Sequence, residues 1–397
     1  MPFVLLLLPK SGAMKMRRTL SLLATILALP AAAQDRAATD ESAIVVTGQS
    51  LSSTKAQLDA CLARRCPPRE DIEASLAHAE NQFVAGDYPA ARRTLGQSRG
   101  RNRRFAATLP VEVADLNRAY GRMNNLDGRP DMSRLAQIEA VDALRAGLDD
   151  KDSRILAQRL MVGDEFARVG RLRGAEEVYN QVAREARKTR QFDMLGHALF
   201  RDAVVTGSVA SVRPNYRSAA ERKIARIENS REPELASFRD AARLLRANIA
   251  GQRGDLPALE KAIAAMAPQK SGTPVLIYAP PILSAPAQRL AIPSSGGEAE
   301  WIDLRFRVAA DGRVHDVETL RVSGNVDSVW PKLVEQSVSA RRYAPLALPR
   351  GSDGAVRIER FAYVHDLTRE TGSRIVARLR HGRITSLDLT QDPRPAS

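Results

Sequence analysis

Side chains that carry chemistry are scarce in this chain. Its 397 residues hold two cysteines, two tryptophans and five histidines, and aromatic residues make up only 5%. The histidines (His78, His197, His315, His365, His381) are scattered, and zinc binding would need two ligands beyond the cysteine pair. There is no P-loop, no H-E-x-x-H and no G-x-G-x-x-G after a strand pattern. Gly96-Gln97-Ser98-Arg99-Gly100 matches G-x-S-x-G in letters only. That motif needs a strand before it and a helix after it, whereas a helical pattern precedes this one and an Arg-rich stretch follows. Acid pairs such as Glu176-Glu177 fall in helical pattern with no pocket signature. The expectation is a protein with no catalytic, cofactor or metal residues; an envelope enzyme of unknown class is the outlying alternative.

Long apolar runs are also missing. Thr19 to Pro30 is a stretch of about a dozen mostly apolar residues, too short to span a bilayer comfortably. It follows Met14-Lys15-Met16-Arg17-Arg18 and precedes Ala31-Ala32-Ala33, the layout of a secretory signal cleaved after Ala33. Residues 1–33 are therefore read as a targeting segment, with translation starting at Met14 or Met16. The destination is the periplasm of a Gram-negative envelope. No cysteine follows the cleavage site, which argues against a lipid anchor. The formal charge is +14, and loss of the segment's four cations leaves +10. A basic exported protein suits an anionic envelope surface. The compartment and the absence of any recognition motif exclude nucleic acid as a partner.

Export places Cys61 and Cys66 where an even pair usually bridges. In one continuous helix they would point about 140° apart. Pro67-Pro68 follows, and the residue before a proline avoids helix, so Cys66 can fold back and a disulfide is expected.

Residues 55–267 carry helical periodicity almost throughout. Helix, Gly, polar residue, apolar residue, helix recurs around Gly86, Gly170 and Gly254, spaced by 84, and Gly128 lies 42 after Gly86. Ala91 and Ala175 stand five after their glycines and Leu259 stands at the third such place; residue 212 is not a glycine. This signature is similar to tetratricopeptide repeats, with a hairpin of about 42 residues rather than the usual 34. Hairpins that cannot bury a face alone stack into a shared core, and the resemblance implies a surface for protein or peptide. Residues 268–298 are rich in Pro, Ser and Gly and separate the regions, although Val275-Leu276-Ile277-Tyr278 is β-prone and suits a strand or a rib along the helices.

Residues 299–390 read differently. Ile302, Leu304, Phe306 and Val308 alternate with Asp303, Arg305 and Arg307, giving one buried and one wet face. Asp311-Gly312 predicts a type I′ hairpin turn. The shift of apolar parity between Val314 and Val317 predicts a bulge. Trp330, Leu333, Val334 and Val338 lie on one helix face that begins near Asp327 or Ser328, with Pro331 in the first turn. Arg342-Tyr343-Ala344-Pro345 leads to a strand from Ala355 to Val364. Residues 375–389 predict a further hairpin turning at His381-Gly382, followed by a tail at 391–397.

The order strand, Asp311-Gly312-Arg313-Val314, strand, helix, Arg342-Tyr343-Ala344-Pro345, strand resembles the TonB C-terminal domain over about residues 299–364. The fold class is then α+β multidomain: a helical repeat followed by a small ββαβ domain. The resemblance implies a domain that takes an extended peptide at a sheet edge, here Val356, Ile358, Phe361 and Tyr363 of the last strand. Within the flexible stretch 34–54, Ile44-Val45-Val46-Thr47 follows acidic residues and looks like the peptide such domains receive, a strand donor in cis or between two chains. The implied role is an envelope adaptor meeting outer-membrane receptors, transport machinery or a second copy of itself. An uncleaved signal would make it an anchored energy transducer instead. The apolar segment lacks the histidine that TonB carries there, and the extra hairpin could cover the receiving edge.

Overall fold

The computed structural model describes residues 49–269, 273–280, 282, 300–324, 326, 329–369 and 376–390. The stretch read as a targeting segment and the expected strand donor Ile44–Thr47 lie outside these residues, as does most of the linker.

The first region is all helix: α1 (Leu51–Ala63), α2 (Pro68–Val84), α3 (Tyr88–Asn102), α4 (Pro110–Leu126), α5 (Pro130–Gly147), α6 (Ser153–Arg168), α7 (Leu172–Lys188), α8 (Phe192–Val212), α9 (Arg217–Glu228), α10 (Ala236–Gln252) and α11 (Leu256–Ala264). Helix α1 begins inside the stretch expected to be flexible, because Ser50 caps it by accepting from the Ser53 N–H. From α2 onward the helices pair in sequence. Four of the five pairs turn at a left-handed glycine: Gly86 (φ 89°), Gly128 (φ 70°), Gly170 (φ 75°) and Gly254 (φ 96°). Each turn closes with the same long-reach bond. Asp87 N–H donates to Gln82, Arg129 to Asn124, Arg171 to Phe166 and Asp255 to Ala250, at 2.8–3.0 Å. These bonds satisfy carbonyls that the helix end would orphan, and only a residue free of a Cβ takes that backbone without strain. The pair α8–α9 has no glycine at its turn. There Arg213 is extended and Pro214 opens a short 3-10 turn.

The residue five after each turn glycine sits on the preceding helix. Ala91, Ser133, Ala175 and Leu259 are all 0% exposed, so the position is set by close packing rather than by alanine itself. Two apolar clusters run through the helices. One spans α2 to α6 and the other spans α6 to α10.

The second region contains β1 (Leu276–Tyr278), β2 (Glu300–Val308), β3 (Val314–Val322), α12 (Val329–Ser339), β4 (Arg342–Tyr343), β5 (Ala355–Arg369) and β6 (Val376–Asp388). An antiparallel sheet runs β3-β2-β5-β6, and β1 pairs with β4. The chain is thus a mostly helical α+β protein with its sheet at the C-terminal end. Helix α12 covers one face. Ile302, Leu304, Phe306 and Val308 of β2 are 0% exposed beneath Trp330, Val334 and Val338, each such side chain contributing about 1.5–3 kcal/mol by burial.

Two expectations for this region need correction. The β2–β3 turn is not type I′, because Gly312 alone is left-handed (φ 81°). Gly312 N–H donates to Ala309 and Ala309 N–H donates to Arg313, a type I turn closed by a glycine bulge. Gly312 also passes so close to the Tyr343 backbone that a Cβ would collide with it. Second, β6 is one continuous strand rather than a hairpin turning at His381-Gly382, and its partner is β5. Gly382 is small because the Tyr363 ring occupies the space of its absent Cβ. The Val275–Tyr278 segment does both things expected of it: β1 pairs with β4, and Asn248 and Gln252 of α10 donate to its Ile277 carbonyl and to Ala279. The bulge in β3 lies where parity placed it, with Asp316 left-handed (φ 51°) between Glu318 and His315.

Candidate functional site

The residues expected to form the receiving edge are Val356, Ile358, Phe361 and Tyr363. They lie on β5, and β5 is not an edge. It pairs with β2 from Tyr363 to Ala355 and with β6 from Glu359 to Arg369. Backbone groups on successive residues point to opposite neighbours. Val356 lies beyond the last β5–β6 pair, Glu359 with Asp388, but from Ile358 to Tyr363 each residue has a neighbour to meet, Ile358 through the Leu389 N–H and the Thr390 hydroxyl. A donor such as Ile44–Thr47 has no place there. The four side chains also divide between faces. Phe361 and Tyr363 are 1% and 7% exposed under α12, while Val356 is 40% exposed on the opposite face.

The sheet's outer strands are β3 and β6. β3 is interrupted twice, with register shifts next to Leu304 and between Arg305 and Arg307, and it carries Asp316, Glu318 and Arg321. Bulges and charges of this kind discourage strand addition. β6 keeps an unbroken register with β5 from Gly382 to Asp388. Leu389 N–H donates to the Ile358 carbonyl. By alternation, Arg383, Thr385 and Leu387 then face β5, and the backbone groups of Ile384, Ser386 and Asp388 face outward. No strand among the described residues lies beyond them.

The wet face of β2 is not all wet. Asp303 is 0% exposed and Arg360, on the adjoining strand, is 1% exposed. The Arg360 guanidinium forks onto both Asp303 oxygens at 2.7 and 3.0 Å. It also donates to the Phe83 and Val84 carbonyls at 2.8 and 3.0 Å, capping the end of α2. Trp301 stacks on it at 3.7 Å, and Arg321 adds a second cation to Asp303 at 2.7 Å. Trp301 rests against Gly86, where a Cβ would lie 2.9 Å from its Nε1. Further along, Arg383 donates to the Asn125 carbonyl at the end of α4 at 2.8 Å. At the other end of the helical series Arg342 reaches Glu260 of α11 at 2.5 Å. Ile277, Tyr278 and Ala344 join a cluster with Leu259 and Ile263. The sheet region thus grips both the first and the last helix pair.

A second charged group is buried within the sheet region. Arg341 donates to Glu359 at 2.9 Å and to the Tyr343 hydroxyl at 3.2 Å, and lies between the Phe306 and Phe361 rings. Arg357 reaches Glu359 at 3.3 Å and Asp388 at 3.0 Å. Burial pushes the Tyr343 phenol up to about 12 against the pull of Arg341. Both charged groups escaped sequence reasoning. For Asp303 and Arg360 the only trace was a polar residue at each alternate place, which solvent explains equally well; Arg357 and Glu359 instead share the parity of Phe361 and Tyr363 and interrupt the apolar face.

Elsewhere, Ser98 is 0% exposed inside α3 and accepts from Asn102, so no strand precedes it. Glu176 pairs with Lys223 at 2.9 Å. Cys61 and Cys66 are placed as a disulfide with Cα atoms 5.1 Å apart. What folds Cys66 back is a helix-end turn, with Arg65 left-handed (φ 51°) and Cys66 N–H donating to the Cys61 carbonyl at 3.0 Å. With Glu70 these sulfurs form the one set of three metal-ligating groups found close together among the described residues, but Arg64 already pairs with Glu70.

No protein-family model and no curated protein matches the chain. Among solved structures, BtubC (BKLC) from P. vanneervenii is similar at 14% identity with a TM-score of 0.38, over 56% of this chain and 94% of that one.

Proposed function

We propose that this chain is an exported adaptor of the Gram-negative envelope that holds protein or peptide partners through its helical repeats and its TonB-like sheet. The observation that carries the reading is the outer side of β6. Three outward residues, Ile384, Ser386 and Asp388, present backbone donors and acceptors along a strand free of bulges from Gly382 to Asp388. Such an edge accepts an extended peptide by strand addition, each backbone bond contributing about 1 kcal/mol. The receiving strand is therefore β6 rather than β5. Export rests on the sequence of residues 1–33. No helix of the described residues is long and apolar enough to cross a membrane.

A photo-reactive residue at Asp388, which is exposed, is expected to give a discrete protein adduct in intact cells. Ser386→Pro removes one outward N–H while leaving the β5 ladder intact, and it should abolish that adduct. No adduct, or one that survives Ser386→Pro, overturns strand addition at β6. Sequencing the mature amino terminus tests export: a start at Gln34 is expected, and an intact leader overturns it.

A further inference from the structure

The second helices of consecutive pairs share a side of the molecule. In α5 and α7 the same faces are buried: Ser133 with Ala175, Gln137 with Tyr179, and Ala140 with Val182, 42 residues apart. Helices α7 and α9 are tied side by side by Glu176–Lys223 (2.9 Å) and by Arg187 to Glu232 just beyond α9 (3.5 Å). Two features lie on the outward side. On α5, Met132, Leu135 and Ile138 are 41%, 47% and 37% exposed at successive turns. On and just beyond α7 and α9, Arg184, Lys188, Arg190, Arg222, Arg226 and Arg231 are exposed, and none has an ion-pair partner among the described residues.

The local acids do not balance these cations. Glu176 is taken by Lys223, Glu232 by Arg187, and Glu221 and Glu228 by Arg246. On and just beyond α5, α7 and α9 the exposed acids without an ion pair among the described residues are Asp142, Asp149, Asp150, Glu177 and Glu234, against the six cations above together with Arg145 and Arg173. Aromatic stacking surface is missing too: Tyr179 is the aromatic residue of α7 and is 1% exposed, and α5 and α9 contain none. Single-stranded nucleic acid, which is gripped by stacking as well as charge, is poorly served. An apolar stripe on the same side as unneutralised cations suits a bilayer surface, where apolar side chains enter the headgroup boundary and guanidinium groups meet phosphates.

We propose that the side formed by α5, α7 and α9 docks on an anionic phospholipid surface. The site is separate from the β6 edge and stands whether or not that edge takes a peptide. Each cation near such a surface strengthens binding by roughly fivefold, so reversing three should weaken it by at least roughly a hundredfold.

The test is flotation of the full chain with vesicles of phosphatidylcholine alone or mixed with phosphatidylglycerol. Binding is expected to the mixed vesicles only, falling as salt rises. Arg184→Glu/Lys188→Glu/Arg226→Glu should abolish it, and Leu135→Ser/Ile138→Ser should leave a weaker, more salt-sensitive association. These positions are exposed, so thermal unfolding of both variants should match the parent, and Ser386→Pro should bind vesicles unchanged. The proposal is overturned by absence of binding to the mixed vesicles, by equal binding of the charge-reversed variant, or by duplex DNA bound as tightly as the vesicles.

Discussion

The bonds that join the helices to one another link residues at most a few dozen positions apart, while the Arg360 bonds that join the sheet to them link residues 277 and 276 apart. The two regions also differ in emphasis, although the helices bury carboxylates too, Asp71 with Arg101 and Asp202 with Lys223. The helices repeat one turn and one row of small buried side chains. The sheet region fixes itself with charges taken out of water, Arg360 with Asp303 and Arg341 with Glu359. Local, repeated packing lets each helix pair form with its neighbours. A buried ion pair gives less net stability than apolar residues of equal volume, yet removing one member costs heavily. The junction is therefore where the two regions can be separated with one substitution.

The largest effect should come from Arg360→Leu. It strands Asp303, which is 0% exposed, with Arg321 as its remaining cation, removes the Arg360 donor from the Val84 carbonyl, and leaves the Phe83 carbonyl with the Gly86 N–H alone. A loss of about 3–5 kcal/mol is expected. Denaturant unfolding should change from one transition to two, the sheet melting first. A single transition at an unchanged midpoint would show that the regions are coupled by something other than this group. Arg360→Lys keeps the charge but not the fork and should fall in between.

Glu359→Gln acts inside the sheet and should cost about 3 kcal/mol, because Arg341 and Arg357 both lose their shared carboxylate. The helical transition should stay where it is, which hydrogen exchange resolved by residue can read. Slower or faster exchange in α6 to α8 would contradict the separation of the two regions.

The first helix pair has a charged group of its own, and pH distinguishes it. Burial raises the Asp71 carboxyl, but hydrogen bonds from Arg101, Asn102 and Ser75 outweigh burial and hold it below its ordinary 3.8. A carboxyl depressed on folding adds stability above its unfolded value and loses it as pH falls through the folded one. Asp71→Asn should therefore cost about 2 kcal/mol at neutral pH, and the gap to the parent should close as pH drops below 3.8. A gap that holds constant down to low pH would assign Asp71 a packing role only.

These contrasts follow how much could be read beforehand. The alternation of Ile302 to Val308, the face of α12 and the glycine turns of the helices were legible because each is a periodicity set within a few residues. The parity slip after Val314 revealed its bulge for the same reason. Asp303 and Arg360 were hidden. Period two says which residues share a face and is silent on what covers it, and here the cover comes from helix ends more than 200 residues away. Gly382 misled for a related reason. A glycine serves a turn or makes room for a ring, and only the pairing of β6 with β5, which brings Tyr363 over it, separates the two. The place of β6 itself was open because a strand's register is set by its partner. The same spacing of Ile384 and Leu387 suits a separate hairpin or a fourth strand.

The finest comparison is between two glycines in the same kind of turn. Gly86 and Gly170 are both left-handed, at φ 89° and 75°, and both precede a residue that bonds back to the same carbonyl of its helix. An alanine at either adopts a backbone that costs about 1 kcal/mol. At Gly170 a Cβ meets open space, whereas at Gly86 it lies 2.9 Å from Trp301 Nε1 and 3.1 Å from Cζ2. Gly170→Ala should thus lower stability by about 1 kcal/mol, and Gly86→Ala by about 1 kcal/mol more, because Trp301 must slide off the Arg360 guanidinium. The excess belongs to the junction and not to the turn. It should disappear when both variants are measured in a Trp301→Leu background, a coupling that a double-mutant cycle isolates. Equal losses at the two glycines in the parent would mean that Trp301 yields freely, and that Arg360 holds the sheet to the first helix pair without it.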